Sequence, residues 1–165
     1  MEARVRRARE DELEAVGRLT VEAYAADGRI TAEHPYAEHL RDAAARHRDA
    51  VLLVAEASDG ALVGTVTVVP ATSPLVEMCR AGEVEVRMLA VAPAARGRGV
   101  GELLTRSCLD VARDEGVARV ILSSGTWMRA AHRLYDRLGF VRVPERDWSP
   151  RPDVQLIAYE LPLTG

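Results

Sequence analysis

The stretch between Glu83 and Gly101 constrains this chain most. An apolar strand, Glu83-Val-Glu-Val-Arg-Met-Leu-Ala-Val91, runs through Ala92-Pro-Ala-Ala95 into Arg96-Gly-Arg-Gly-Val-Gly101, and that glycine-rich turn opens a helix. Glycines let the backbone take φ > 0 and approach a ligand, while the first N–H groups of a helix lack intrahelical partners and carry the positive end of its dipole. A strand, a glycine turn and a helix in that order make a cradle for a pyrophosphate. The helix is read from Val100, Leu103, Leu104, Cys108, Val111 and Ala112, which fall at i, i+3, i+4 intervals, and Gly116 ends it.

Two phosphate ligands are excluded by what is absent. No Gly-Lys-Ser/Thr follows the turn, so the lysine and the Mg²⁺ ligand of an NTP-hydrolysing loop are missing. Gly97, Gly99 and Gly101 run G-x-G-x-G rather than G-x-G-x-x-G, and no acidic residue ends a second strand about twenty residues on, as a dinucleotide site requires.

The segment Arg96-Gly-Arg-Gly99-Val-Gly101 resembles the acyl-coenzyme A binding motif of the GCN5-related N-acetyltransferase (GNAT) family, Arg/Gln-x-x-Gly-x-Gly/Ala, and matches it at every defining position. Glu85-Val-Arg-Met-Leu89-Ala-Val91 is similar to the family's fourth strand. Ala131-His-Arg-Leu134-Tyr135-Asp-Arg-Leu138-Gly139-Phe140 is similar to its last helix and the turn beyond. The resemblance implies an α/β (α+β) fold: a mixed, mostly antiparallel twisted sheet of about six to seven strands, flanked by about four helices, with splayed fourth and fifth strands. It implies one acyl-CoA N-acyltransferase domain over residues 1–165.

Composition agrees and decides less. A chain of 165 residues has one domain's length and buries roughly 70% of its unfolded surface. It is 48% apolar, and a net charge of −3 gives no electrostatic reason to expect nucleic acid or an anionic membrane. Cys79 and Cys108 make no disulfide framework, and Cys108 falls on the buried helix face. The start, Met-Glu-Ala-Arg-Val-Arg-Arg, has no signal-peptide core, and no apolar run nears the roughly 18 residues of a membrane span. A cytoplasmic protein is expected.

Periodicity and breakers predict a strand at 4–8, a helix from a cap near Asp11 to about 25, a helix over 36–47, and a hairpin of strands 51–57 and 62–69 around Ser58-Asp59-Gly60. A loop follows at 70–82. After the strand at 83–91 and its helix come a strand at 119–122, a helix at 128–138, and strands at 140–143 and 154–161. Residues 144–153 hold three prolines, which donate no ladder hydrogen bonds, and read as a long loop.

Acyl transfer from a thioester to an amine needs a neutral nucleophile, support for the tetrahedral oxyanion and a proton for the departing thiolate. By the resemblance, acetyl-CoA is the cosubstrate, and its arm lies between the splayed strands against the main chain of Leu89, Ala90 and Val91, with the Leu89 N–H as oxyanion donor. The pyrophosphate rests on Arg96, Gly97, Arg98, Gly99, Val100 and Gly101. Tyr135 is the implied general acid, set by the Leu134-Tyr135-x-x-Leu-Gly139-Phe140 frame; a core tyrosine on the stripe Ala131, Leu134, Leu138 is the plainer alternative.

The base matters by its magnitude. A lysine-like amine, with pKa ≈ 10.4, costs about 4.6 kcal/mol to deprotonate at pH 7, whereas an α-amine costs only about 1–1.4 kcal/mol. Glu85 matches the family position for a base. Four residues of strand span about 13 Å, however, so it needs a bulge or a water to reach a thioester at Leu89. Glu83 is further away, and Arg87 stands between and is placed to pair with Glu85, which leaves an exposed strand charge or a simple ion pair as the other reading of Glu85.

The family often has an Asn near Met128. Here Ser123-Ser-Gly-Thr-Trp-Met128 stands instead, with Ser124, Thr126 and Trp127 as candidate substitutes. The acceptor segments hold Tyr24, Asp27, Arg29, His34, Tyr36, Glu145, Asp147 and Trp148, acids and aromatics that suit a cationic amine. His34, His39, His47 and His132 lack metal-ligand spacing, so no metal is expected. The expected partner is a small-molecule or peptide amine, and the family resemblance allows a homodimer. Two functions fit: an N-acetyltransferase working by direct transfer in a ternary complex, or a non-catalytic acyl-CoA-binding or regulatory module on the same fold.

Overall fold

Backbone pairing in the computed structural model, which describes residues 2–28 and 30–163, gathers eight strands into one sheet. β1 (Ala3–Arg7), β2 (Val51–Ala57), β3 (Leu62–Pro70) and β4 (Glu83–Val91) run antiparallel in sequence order. β4 then pairs in parallel with β5 (Arg119–Gly125), and β5 pairs antiparallel with β8 (Val154–Pro162). Two short strands, β6 (Val141–Arg142) and β7 (Trp148–Arg151), share the outer edge of β8.

The helices are α1 (Leu13–Ala26), α2 (Tyr36–Arg41), α3 (Ala43–Asp49), α4 (Val100–Glu115) and α5 (Arg129–Arg137). α4 and α5 cover one sheet face, where Leu104, Cys108, Ala112, Leu134 and Tyr135 pack on Val66, Val68, Val84, Val86 and Leu122. The other face carries α1 to α3, with Val16 and Ala43 over Leu52 and Val54, and Leu19 and Ala23 over Ala90.

The sheet therefore has eight strands where about six to seven were expected, and five helices where about four were. The extra strand is β7, inside the proline-rich segment read as a loop. Its pairing with β8 is irregular between Trp148 and Arg151, so Pro150 sits where no regular ladder bond is required of it. The extra helix arises because 36–47 is not continuous. Asp42 leaves helical geometry at φ −80°, ψ 64°, and its carboxylate caps α3 by accepting from the Ala45 N–H at 3.1 Å. Arg46 then folds back and donates to the His39 and Leu40 carbonyls at 2.7 and 2.9 Å, satisfying orphan groups at the end of α2.

The parting of β4 and β5 is present. Their register runs from Glu83 opposite Arg119 to Val86 opposite Leu122 and stops. Beyond it β4 keeps only β3, and β5 only β8. A β-bulge lies at this point: Thr67 faces Arg87 and Thr65 faces Ala90, so Val66 opposes both Met88 and Leu89. Met88 takes φ +53°, the sole positive φ outside glycine among the described residues.

The loop between β3 and β4 is tied down from the start of β4. Glu83 is 1% exposed; its carboxylate accepts from Arg146 at 2.7 and 3.0 Å, from Arg119 at 3.1 Å and from the Arg80 N–H at 2.9 Å. Arg146 also donates to the Met78 carbonyl at 2.6 Å, so the loop is joined to the turn before β7. Burial opposes the Glu83 charge, but Arg146, the Arg80 amide and Arg119 outweigh it and hold the carboxyl below its ordinary range.

Two stability outcomes follow. Gly17 on α1 abuts the backbone carbonyl of Arg41, and a Cβ there would overlap it. The helix-propensity gain of about 1 kcal/mol from alanine is smaller than the cost of moving a backbone, so Gly17→Ala lowers stability by about 1–2 kcal/mol, measured as a lower urea midpoint at unchanged slope. Arg146→Ala leaves Glu83 with only Arg119 and the Arg80 amide and costs about 2–3 kcal/mol at pH 7. Because the folded pKa of Glu83 is depressed, its stabilisation is complete above the ordinary carboxylate range and disappears as pH falls through the folded value. The gap between Arg146→Ala and the parent therefore narrows in urea titrations carried down to pH 3.

Candidate active site

The glycine turn sits at the N-terminus of α4, as its sequence demands. Gly97 and Gly99 take φ +77° and +82°, and Gly99 is the cap, without a side-chain cap bond, from which the helix starts. By helix geometry the N–H groups of Val100, Gly101 and Glu102 have no intrahelical acceptor, and they emerge at the positive end of a helix of 16 residues. A cleft of about 640 Å³ opens beside them, lined by Arg98, Val100 and Leu103 and by Arg4, Glu56 and Ser58. α4 approaches the sheet closely because Gly64 has no side chain: a Cβ there would lie 2.8 Å from Leu104 and 3.0 Å from Val100.

Arg96 does something the motif does not announce. Its guanidinium reaches across to α1, pairing with Asp27 at 2.9 Å and donating to the Ala23 carbonyl at 2.8 Å, with a longer bond to the Val91 carbonyl at 3.4 Å. A cation at the C-terminal end of α1 is favourable, and it ties the turn to the opposite layer.

The wedge between β4 and β5 leads to this turn. Along Arg87–Val91 the β4 edge that faced β5 has no strand partner, so the main chain of Leu89, Ala90 and Val91 is left without ladder bonds on that side. The Leu89 and Val91 side chains pack on the α4 side, whereas Met88 packs with Val21, Ala37 and Leu40 on the α1–α2 side. Val91 lies against Gly101 in the first turn of α4, so these backbone groups and the helix N-terminus are neighbours, a donor set that fits a coenzyme with an extended amide-bearing arm and a pyrophosphate.

Tyr135 is 5% exposed on α5, its ring 5.6 Å from both Phe140 and Tyr159. Burial pushes its hydroxyl well above the ordinary phenol range, with smaller contributions from Cys108 and Tyr159. It stays neutral and able to donate at physiological pH.

Glu85 is 1% exposed and faces the α1–α2 side. Its Oε1 accepts from three consecutive backbone amides, Glu77 and Met78 at 3.0 Å and Cys79 at 3.2 Å. Arg87 does not turn to Glu85 in the pairs formed: it meets Glu77 at 2.9 Å and the Leu75 carbonyl at 3.0 Å. Glu77 therefore belongs to this site although sequence reasoning passed over it, since an acid within an unpatterned loop carries no periodic signal.

The acceptor-side residues divide. Tyr24 and Tyr36 meet with ring centroids 6.5 Å apart, and His39 lies 5.8 Å from Tyr36. Burial raises both tyrosine hydroxyls. His34 accepts from the Tyr36 N–H at 3.1 Å through Nδ1. Asp27 is committed to Arg96, and Asp147 to Arg142 at 2.9 Å and the Ala158 N–H at 2.8 Å. Glu145 is exposed, Trp148 lies on β7, and Arg29 falls outside the described residues. At the end of β5, Ser124 is buried and donates to the Met128 sulfur at 3.7 Å, Thr126 is exposed, and the Trp127 ring folds over Gly125. Among the described residues no cluster of His, Cys, Asp or Glu is built to hold a metal ion, and no helix is long and apolar enough to cross a membrane.

Comparison with known proteins agrees with this geometry. The family described as the acetyltransferase (GNAT) family matches residues 5–140. N-acetyltransferase 8 of Mus musculus is 35% identical over 111 residues, which covers 64% of this chain and 47% of that protein. Mycothiol acetyltransferase of Rhodococcus jostii is 45% identical over 58 residues, 35% of this chain and 19% of that protein. The chain thus spans less than half the length of these relatives. Among solved structures, the PaiA N-acetyltransferase of Thermoplasma acidophilum in complex with coenzyme A aligns with a TM-score of 0.75 at 15% identity, covering 96% of this chain and 98% of that one. The ribosomal-protein-alanine N-acetyltransferase of Brucella melitensis aligns with a TM-score of 0.72 at 25% identity, covering 96% and 99%. With a family match across most of its length and the matching fold, this chain belongs to the acetyltransferase (GNAT) family.

Proposed function

We propose that the chain is an acetyl-CoA dependent N-acetyltransferase that moves an acetyl group directly to a primary amine in a ternary complex, without an acyl-enzyme. The observation that carries the reading is the continuity of the wedge and the cradle. The β4 edge freed after Val86 ends at Val91, whose side chain lies against Gly101 in the first turn of α4, so one ligand can pair with both.

In this reading the main chain of residues 89–91 holds the pantetheine arm as an added strand would, and the Leu89 N–H meets the developing oxyanion. The pyrophosphate rests on the backbone of residues 97–101, with Arg98 beside it. Arg96 contributes by fixing the turn through α1. The oxyanion donor needs no reorganisation, because the bulge at Met88 already sets the backbone.

Tyr135 donates to the leaving sulfur. Its ring is wedged between Phe140 and Tyr159, which fixes the direction of the phenol. Glu85 lies on the acceptor side of β4, and the amine's proton leaves through the carboxylates gathered there. The acceptor enters between α1–α2 and the loop before β4, where Tyr24 and Tyr36 supply aromatic surface for a small-molecule or peptide amine. The names of the relatives cover different acceptors, so likeness to them selects none. A cytoplasmic setting is part of the reading, supported by Cys79 and Cys108, both free thiols.

Mixing the protein with acetyl-CoA and a panel of primary amines, and following free thiol, tests the activity. Amine-dependent thiol release is expected; tight coenzyme A binding without release for any amine would identify a non-catalytic module instead. In the active protein, Tyr135→Phe lowers kcat by about 10²-fold at neutral pH with the Kd for coenzyme A unchanged, measured by calorimetry.

A further inference from the structure

We propose that Glu77, in the loop between β3 and β4, is the carboxylate that takes the proton of the acceptor ammonium, and that Glu85 is the positioning residue that presents it. The proposal rests on the acetyltransferase reading above.

The two acids share one structural unit. Oε1 of Glu85 is bound by the N–H groups of Glu77, Met78 and Cys79 at 3.0, 3.0 and 3.2 Å, an arrangement of charge-assisted bonds that fixes the loop backbone. That oxygen is taken up by the three amides, and at 1% exposure Glu85 presents little surface to an incoming amine. Glu77 is the first of the three residues held in this way, and its side chain is 36% exposed.

Its carboxylate is aimed by a second contact. Arg87 Nη2 lies 2.9 Å from Glu77 Oε1, while Nη1 is fixed on the Leu75 carbonyl at 3.0 Å. Arg87 is the first β4 residue past the last β4–β5 pair, so Glu77 stands at the mouth of the wedge, where the acceptor must meet the thioester. Tyr36 and His39 of α2 stand on the same side, near enough that His39 acts on the Glu77 charge and Arg87 on the Tyr36 hydroxyl.

The surroundings favour a base. Burial raises the Glu77 carboxyl above its ordinary range, and the like charge of Glu85 adds to this, while Arg87 and His39 oppose it. A carboxylate that holds its proton more firmly is the better general base near neutral pH.

The protons balance as follows. In becoming an amide, the ammonium nitrogen gives up two protons. Glu77 takes one and passes it to solvent, which frees the lone pair that attacks the thioester carbonyl carbon. The other ends on the coenzyme sulfur as the C–S bond breaks, delivered through Tyr135.

The test compares the protein with Glu77→Gln on two probes, the lysine side chain of an N-blocked peptide and the α-amine of a peptide, each across pH 5.5–9.5, within the wider amine panel. With Glu77 present, kcat/KM for a lysine-type amine is nearly level above an acid limb. In Glu77→Gln it climbs about tenfold per pH unit, because only the free amine, of pKa ≈ 10.4, now reacts. The loss is about 10²-fold at pH 7 and closes toward pH 9.5, and for the α-amine it is under about tenfold. Glu77→Asp keeps the acid limb, and an unchanged Tm shows that the fold is intact. A profile for Glu77→Gln parallel to that of the parent overturns the proposal and leaves the acetyltransferase reading standing. A parent protein that binds coenzyme A but releases no thiol with any amine of the panel overturns both.

Discussion

The separation of β4 from β5 after Val86 and Leu122 is the constraint on which the rest of the site depends. Two parallel strands that kept pairing would bury the backbone of Arg87–Val91 in a ladder and leave nothing to bind. The bulge prevents this by placing an extra residue in β4 opposite Val66. Met88 takes φ +53° there, a conformation that costs a non-glycine residue about 1–3 kcal/mol. Apolar contact of its side chain with Val21, Ala37 and Leu40 holds it in place. The helices over this face therefore do more than cover it: they sustain the kink that opens the sheet.

A second device is the use of buried acids on one side of β4. Glu83 and Glu85 alternate with Val84 and Val86, so the valines enter the core beneath α4 and both carboxylates point to the other layer. Neither charge is left bare. Glu83 is paired with Arg146 and Arg119, and Glu85 is satisfied by loop amides. Together they fix residues 77–80 of a loop that has no regular structure of its own, and so give a defined position to Glu77 beside Arg87. Arg96 serves the glycine turn in a similar way by reaching α1.

The legible parts of the sequence are those governed by local rules. The turn at 96–101, the stripe of α4 and the frame around Tyr135 depend on glycine conformation and helical spacing, both of which are visible in a single sequence. The break at Asp42 was also local, an N-cap residue three positions before Ala45, but the apolar pattern on both sides masked it. What stayed hidden depends on partners distant in sequence. The destinations of the Glu83 and Arg96 side chains, 63 and 69 residues away in Arg146 and Asp27, follow no period. Nor did the three amides on Glu85, because any loop of the right length supplies N–H groups whatever its side chains. β7 escaped notice because its proline argues against a strand and only its edge position permits one.

Amide NMR of the protein titrated with coenzyme A tests the central claim, that the freed β4 edge and the α4 N-terminus bind one ligand. The account predicts that the amides of Leu89 and Val91 and those of residues 97–102 shift together with a single Kd and become protected from hydrogen exchange, while those of β1 and β2 hardly change. Shifts confined to the glycine turn, with the β4 edge still exchanging freely, would contradict it.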